Sequence, residues 1–515
     1  MRRLLSALLA SAALLAAPGA GAAEASRNYQ THCAACHGAD RLGGIGPALL
    51  AENLVRLRKP AALGVITEGR VATQMPAFAG ALSREEIEAL RDFIYTEVTP
   101  RPIWTEQHIR ASRIVHARAE KLDRPVYRAD PLNVFVVVES GDHHATILDG
   151  DKFEPLARFQ TRYALHGGPK FSPDGRFVYF ASRDGWISKY DLWNLRMIAE
   201  VRAGLNTRNA AVSSDGKFVA VANYLPHTLV ILDSDLELVK VIPVQDQAGK
   251  ASSRVSAVYD AGPRKSFVAA LKDVKELWEI SYDPAAPDIA QGLIHDFRYK
   301  EGSFIPGFLN PRRTQLDDYL DDFFFTQQYN EVMGASRDGK QGQVVHLDVR
   351  RRIATLDLSG MPHLGSGITW EHQGRTVMAS TNLKQGIVTV VDTKSWKTVK
   401  HIQTAGPGFF LRSHEKTPYA WVDAMMSPRK DTLQVIDKGT LEVTGEVRPA
   451  PGKTAAHVEF TRDGRYALVS VWEMDGAVVI YDAATLKEVK RLPMRKPVGK
   501  YNVHNKITRS EGTSH

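Results

Sequence analysis

At 515 residues the chain is too long for one core, so two or more domains are expected. Its hydrophobic fraction of 43% is ordinary for a water-soluble protein, and after the N-terminus no segment reaches the roughly 18 uninterrupted apolar residues of a membrane helix. The formal net charge is +8, with 17 histidines counted as neutral, which by itself fits either solubility or an acidic, carboxylate-rich ligand.

The chain opens with Arg2-Arg3, an apolar run from Leu4 to Ala17 and the small residues Ala20-Gly21-Ala22. This is the three-part grammar of a secretory signal peptide over residues 1–22. Export makes nucleic acid the wrong partner and places the mature protein in the periplasm. Fold reasoning therefore starts at Ala23.

Residues 23–99 read as a small helical domain. The two cysteines of the whole chain stand in Cys33-Ala34-Ala35-Cys36-His37. In an oxidising compartment such a pair could form a disulfide, but the adjoining histidine completes the pattern for covalent haem c: two thiols for the vinyl groups, an imidazole for the iron. Met75, in Gln74-Met75-Pro76-Ala77-Phe78, is the candidate second axial ligand. Ser83 and Glu86 form a capping box that opens an amphipathic helix running to Tyr95. Residues 100–128, beginning Pro100-Arg101-Pro102, read as a linker.

From residue 129 to 515 a unit of about 40 residues repeats. Ser172-Pro173-Asp174-Gly175-Arg176-Phe177 precedes an alternating strand, and Ser214-Asp215-Gly216-Lys217-Phe218 and Asp463-Gly464-Arg465-Tyr466 return the same turn. Further copies start near Arg264, Gly374 and Thr417. Most units close on a strand that ends in aspartate, such as Asp191, Asp233, Asp392 and Asp482. With Phe135–Leu148 and a divergent copy around Phe323–Leu347 there are eight units, which predicts an all-β eight-bladed β-propeller. A propeller by itself leaves the chemistry open.

A short cytochrome c joined to an eight-bladed propeller resembles the cytochrome cd1 superfamily, whose propeller holds non-covalent haem d1. The resemblance covers the mature chain. It is carried by Tyr163-Ala164-Leu165-His166, by Ser182-Arg183-Asp184-Gly185 with Tyr190-Asp191-Leu192-Trp193, and by Pro497-Val498-Gly499-Lys500-Tyr501-Asn502-Val503. It implies that His166 is the proximal ligand of the d1 iron and that Arg183 and Arg208 face the carboxylates of the macrocycle, a task suited to bidentate guanidinium groups.

Within the superfamily, nitrite reductases place two histidines over the distal face. His363, in Gly360-Met361-Pro362-His363-Leu364-Gly365-Ser366-Gly367, matches the first. Gly406 stands where the second belongs, and Phe409 replaces a nearby arginine. A new histidine, His457, appears in Thr454-Ala455-Ala456-His457-Val458. Together with Leu320-Asp321-Asp322-Phe323-Phe324-Phe325 and the short cytochrome module, this resembles the branch that completes haem d1 biosynthesis. The implied reaction oxidises dihydro-haem d1 by turning a propionate side chain into an acrylate, with electrons leaving through haem c to an external periplasmic acceptor. His363 is the expected base and His457 the expected ligand of the substrate iron, although the two roles could be exchanged. The resemblance further implies transient partners, namely cytochrome cd1 nitrite reductase and a d1-biosynthesis propeller protein. A carrier that delivers haem d1 without oxidising it, or a nitrite reductase, are the competing readings. His143-His144 falls in a blade turn and suggests no metal site, since no third ligand is placed by sequence.

Overall fold

The computed structural model describes residues 20–44, 46–54, 57–70, 75–100, 102–165, 167–291, 303–335, 341–358 and 360–508. Most of the expected signal peptide, residues 1–19, lies outside them, as does His166. Among the described residues no helix is long and apolar enough to cross a membrane.

The first 94 residues contribute the helices Ala20–His32, Ala34–His37, Lys59–Glu68 and Arg84–Ile94. The capping box forms as its spacing predicts: the Glu86 amide donates to Ser83 Oγ at 3.2 Å and the Ser83 amide to Glu86 Oε2 at 2.8 Å. Ile87, Leu90 and Ile94 on that helix pack against Tyr29, Leu54 and Ile66, with Cys33 and Met75 at the edge of the same cluster. A small apolar core is thus built around the Cys33–His37 segment.

Among the described residues the remainder forms eight sheets, seven of four strands and one of five, beside a separate two-stranded hairpin. Blade 1 is composite. Its innermost strand, Pro497–Asn502, comes from the C-terminal end and pairs with Val134–Glu139, Phe135 opposite Asn502. Joining chain ends in one sheet closes the ring and leaves no broad open edge between first and last blades. Blades 2 to 8 begin at Lys170, Asn206, Val255, Phe323, Ile368, Leu411 and Ala455. Alternating apolar residues of neighbouring blades meet to form the core, as where Val230 and Leu232 of blade 3 pack with Ile187 and Val201 of blade 2.

The repeated sequence signature has a local physical cause. In the turns after the first strands of blades 2, 3 and 8 a hydroxyl and an aspartate bond to one another and to the chain: Ser213 Oγ donates to Asp215 at 2.6 Å, and the Lys217 and Phe218 amides donate to Asp215 and Ser213 at 3.1 and 2.9 Å. Thr461 and Asp463 repeat the arrangement. The glycine that follows takes a positive φ, 71° at Gly216 and 72° at Gly464, which only glycine adopts without strain. Aspartates that end the third strands cap the next hairpin, as Asp392 does by accepting from the Lys394 and Ser395 amides at 2.9 and 2.8 Å.

The expected linker is partly structured. It forms the helix Glu106–Ala111 and the strand Ile114–Val115, which pairs with the outermost strand of blade 2 and covers that edge.

In an up-and-down blade the connections between blades and the loops between second and third strands open on one end of the ring. Leu205 lies in the connection into blade 3 and Leu225 ends the second strand of that blade, so both sit at this end. Leu42, Ala48, Leu50 and Val98 of the N-terminal domain pack on them together with Trp104. Arg202 ties the contact. Its Nη2 donates to the Leu42 carbonyl at 3.2 Å, its Nε to the Asp184 carbonyl at 2.7 Å, and its guanidinium lies 5.0 Å from the Trp104 ring centre. The helical domain is therefore seated on one face of the propeller, over blades 2 and 3.

Candidate functional site

The N-terminal site fits covalent haem c. Cys33 and Cys36 are free, half-buried thiols flanking the turn that presents His37. His37 is 6% exposed and its Nδ1 lies 2.8 Å from the Pro47 carbonyl, which leaves Nε2 for a metal. Gly46 crosses directly over the ring: a Cβ there would come within 2.5 Å of His37 Cε1. Burial lowers the affinity of His37 for a proton, against a smaller opposite effect of the Pro47 carbonyl, and a neutral imidazole is the ligand form. Met75 packs against the same apolar cluster as Cys33.

On the propeller, the face carrying the helical domain also carries the predicted d1 residues. Arg183 follows the second strand of blade 2, Arg208 lies in the first strand of blade 3, His363 precedes blade 6, and His457 begins blade 8. All belong to the inner end of that one face. His166 lies outside the described residues, but the two glycines after it are placed: Gly167 (φ 81°) against Asn209, next to Arg208, and Gly168 (φ 69°) against the Tyr501 ring. A Cβ on either would meet those neighbours at 2.7 and 3.0 Å.

A polar arc runs from His363 to Arg183 through residues that the sequence did not single out individually. Tyr259 donates to Asp322 at 2.8 Å, and Asp322 lies against Gly365, where a Cβ would be 2.6 Å from its Oδ2. Arg208 donates to the Ser256 carbonyl at 3.1 Å. Burial pulls its pKa down, yet Tyr224 and Asp322 outweigh burial and hold it raised. Burial and the neighbouring Arg208 lower Arg183 to about 10. The phenol of Tyr224 is raised by burial but lowered more by Arg208 and Lys272, so its net shift is downward. This is a cation-rich wall suited to carboxylates. The motif Leu320–Phe325 held the clue to Asp322; Tyr224 and Lys272 carry no local signal.

The two histidines differ in how they are held. His363 Nδ1 contacts the Phe409 carbonyl at 2.8 Å, the same arrangement that orients His37. The loop supplying that carbonyl is fixed in turn by Asp423, which accepts from the Phe409 and Phe410 amides at 2.9 and 2.7 Å. Burial is the main reason that His363 drops to about 4, with Asp322 and the Phe409 carbonyl opposing. His457 is 1% exposed, and neither ring nitrogen has a hydrogen-bond partner. It is a non-glycine residue at φ 55°, on a bulge between Ala456 and Val458. Lys500 bonds the His457 carbonyl and also donates to Ser470 Oγ at 2.9 Å. Burial, then Lys500 and Arg412, lower His457 well below the ordinary histidine range. Phe410 lies between the imidazoles, 6.2 Å from His363 and 4.8 Å from His457, and Tyr501 stands 5.0 Å beyond His457.

Gly406, the position of the missing reductase histidine, is closed to side chains: a Cβ would lie 2.3 Å from Ser427 Cβ. Phe409 occupies the arginine position, its ring centre 4.0 Å from that of His363 and tilted by 44°. His143 and His144 stand where the second and third strands of blade 1 join; His144 Nδ1 lies 2.8 Å from the Asp142 carbonyl and the His143 ring 4.7 Å from the Tyr163 ring.

Comparison with known proteins agrees with this geometry. Residues 129–506 match the family described as "Cytochrome D1 heme domain", and residues 20–94 match "Cytochrome C oxidase, cbb3-type, subunit III". The chain is 56% identical over 498 residues to the dihydro-heme d1 dehydrogenase of Pseudomonas aeruginosa, covering 96% of this chain and 97% of that protein. It is 25% identical to the nitrite reductase of Stutzerimonas stutzeri over 94% and 92% of the two chains. A solved structure described as dihydro-heme d1 dehydrogenase NirN in complex with DHE superposes with a TM-score of 0.82, covering 94% of this chain and all of that one. Both the sequence match across blades 1 to 8 and the structural match across both domains assign the chain: it belongs to the cytochrome D1 heme domain family.

Proposed function

We propose that the protein oxidises dihydro-haem d1 to haem d1 by removing two hydrogens from a propionate side chain to leave an acrylate, as the last step of haem d1 biosynthesis for denitrification. The observation that carries this reading is the seating of the cytochrome module on the propeller face that bears His363 and His457. A carrier of the cofactor needs no such outlet, whereas a dehydrogenase must dispose of two electrons. The 56% identity to a dihydro-heme d1 dehydrogenase along nearly the whole chain supports the same conclusion.

Arg183 and Arg208 hold carboxylates of the macrocycle, and His166 takes the proximal side of the substrate iron. The matching orientation of His37 and His363 favours His363 as the opposite ligand of that iron, since a carbonyl-fixed Nδ1 leaves Nε2 aimed at a metal. His457 is then the base. Its ring is buried, neutral and without a competing hydrogen bond, so a proton leaving the side chain can be accepted there. This exchanges the roles that the sequence pattern first suggests. Cys33 and Cys36 would hold haem c covalently, His37 and Met75 would bind its iron, and the group would supply a one-electron outlet to an external acceptor. The enzyme works in the periplasm and hands its product to a nitrite reductase.

Variants of the two histidines test the assignment. His457→Gln is expected to bind dihydro-haem d1 with a near-normal visible spectrum and to lose about 100-fold or more in turnover. His363→Gln is expected to change the spectrum of the bound substrate. Full turnover in His457→Gln would overturn the assigned base, and an unchanged spectrum in His363→Gln would overturn the assigned ligand.

A further inference from the structure

Several buried charges in the propeller are paired. Asp191 meets Arg176 at 2.7 Å, Arg254 meets Asp273 at 2.6 Å, and Glu276 meets Arg313 at 2.9 Å. Arg412, in the first strand of blade 7, has no such partner among the described residues. It is 3% exposed, its Nε has no hydrogen-bond partner, and its Nη1 reaches only the carbonyl of the adjacent Leu411, at 3.0 Å. Among the described residues no carboxylate pairs with it. Glu459 is the acidic group that its charge feels most, but the two form no ion pair: Glu459 Oε1 accepts from the Asn505 side chain and the Phe460 amide, each at 3.0 Å, and its buried Oε2 has no hydrogen-bond partner. A guanidinium withdrawn from water without a counter-ion is costly unless a ligand supplies the charge.

Its position says which ligand. Blade 7 lies between blade 6, entered through His363, and blade 8, entered through His457, and the charge of Arg412 acts on both imidazoles. In a ring of eight, blade 7 is diametrically across from blade 3, which carries Arg208. A flat macrocycle lying over the channel, with one edge against Arg183 and Arg208, therefore presents its opposite edge to Arg412 and His457.

Resting on the function proposed above, we infer that Arg412 binds the carboxylate of the propionate that is dehydrogenated and so holds its two-carbon bridge against His457. Arg412 is in this account a substrate-binding residue that selects which side chain reacts. The Phe410 ring beside His457 then bounds the bridge on its apolar side.

The test uses the full-length, haem c-loaded protein with Arg412→Met and Arg412→Lys, titrated anaerobically with dihydro-haem d1 and with its full methyl ester while the visible spectrum is followed. Arg412→Met is expected to weaken binding of the acid by about 30-fold or more and to leave the affinity for the ester as in the wild type, because the ester has no charge to lose. Without substrate its thermal midpoint is expected to equal or exceed that of the wild type, since an uncompensated buried charge has gone. Arg412→Lys, which keeps the charge but not the fork, is expected to fall between the two for the acid and serves if the methionine variant does not fold. Equal acid binding in variant and wild type, or an equal loss for acid and ester, overturns the inference. Wild-type protein that binds dihydro-haem d1 without oxidising it would instead overturn the proposed function, and the acid-against-ester comparison would still decide the role of Arg412.

Discussion

The absence of a histidine at position 406 is a matter of space as well as of sequence, and this can be measured. A Cβ on Gly406 would lie 2.3 Å from Ser427 Cβ and 2.5 Å from its Oγ, where apolar contacts settle near about 3.5–4.0 Å. Ser427 cannot simply rotate away. Its Oγ donates to the Ala424 carbonyl at 2.8 Å and accepts from the Arg429 amide at 3.0 Å. Gly406→Ala must therefore either strain the loop, at about 1–3 kcal/mol, or break those bonds, at about 1 kcal/mol each. The expected loss is about 2–3 kcal/mol, read from denaturant midpoints by tryptophan fluorescence. Ser427→Gly removes the obstacle, so the same Gly406→Ala change in that background should cost less than about 0.5 kcal/mol, the additivity error of independent sites. A near-neutral Gly406→Ala in the wild-type background, or additive losses in the double variant, would refute the argument that Ser427 fills the position of the reductase histidine.

Three further outcomes follow from the same geometry. Gly46→Ala sets a methyl group within 2.5 Å of the His37 ring, and should lower the yield of covalently attached haem c or shift its spectrum and potential, measured on the purified cytochrome. Burial raises Asp423 to about 6, above its ordinary value near 3.9; the folded state then holds the proton more tightly, so stability should fall by about 3 kcal/mol as pH rises from about 4 to 6. Asp423→Asn should flatten that window in chemical unfolding, and an unchanged pH slope would contradict the assignment. Arg202→Ala removes the contacts to the Leu42 and Asp184 carbonyls and the stacking on Trp104, and should slow reduction of haem c in single-turnover mixing while leaving substrate affinity unchanged.

How much of this was legible in the sequence depends on whether the information is local. The haem c segment is local: Cys33, Cys36 and His37 lie within one turn, and the Ser83–Glu86 box caps its helix as spelled. Much of the blade count is local as well, because a Ser/Thr-x-Asp-Gly turn or a strand-ending aspartate is a self-contained hydrogen-bonded unit, although the divergent copy around Phe323–Leu347 lacks that turn. Resemblance found His363 and His457 but not how they are held. That depends on Asp423 fixing the Phe409 carbonyl and on Lys500, 43 residues away, bonding the His457 carbonyl. Arg412 sits in no motif, and that no carboxylate reaches it is visible only once blades 7 and 8 are folded side by side. The linker misled for a physical reason: Ile114 and Val115 become a strand only because the outer edge of blade 2 offers them partners.

The central claim is that this propeller oxidises its ligand as well as binding it. Oxidised protein mixed anaerobically with dihydro-haem d1, with the visible spectrum recorded and the extracted macrocycle weighed, tests it most directly. With protein in at least twofold excess, because each haem c takes one electron and the oxidation releases two, haem c is expected to be reduced and the macrocycle to lose two hydrogens. A stable complex with haem c still oxidised and the macrocycle mass unchanged would contradict it and identify a carrier.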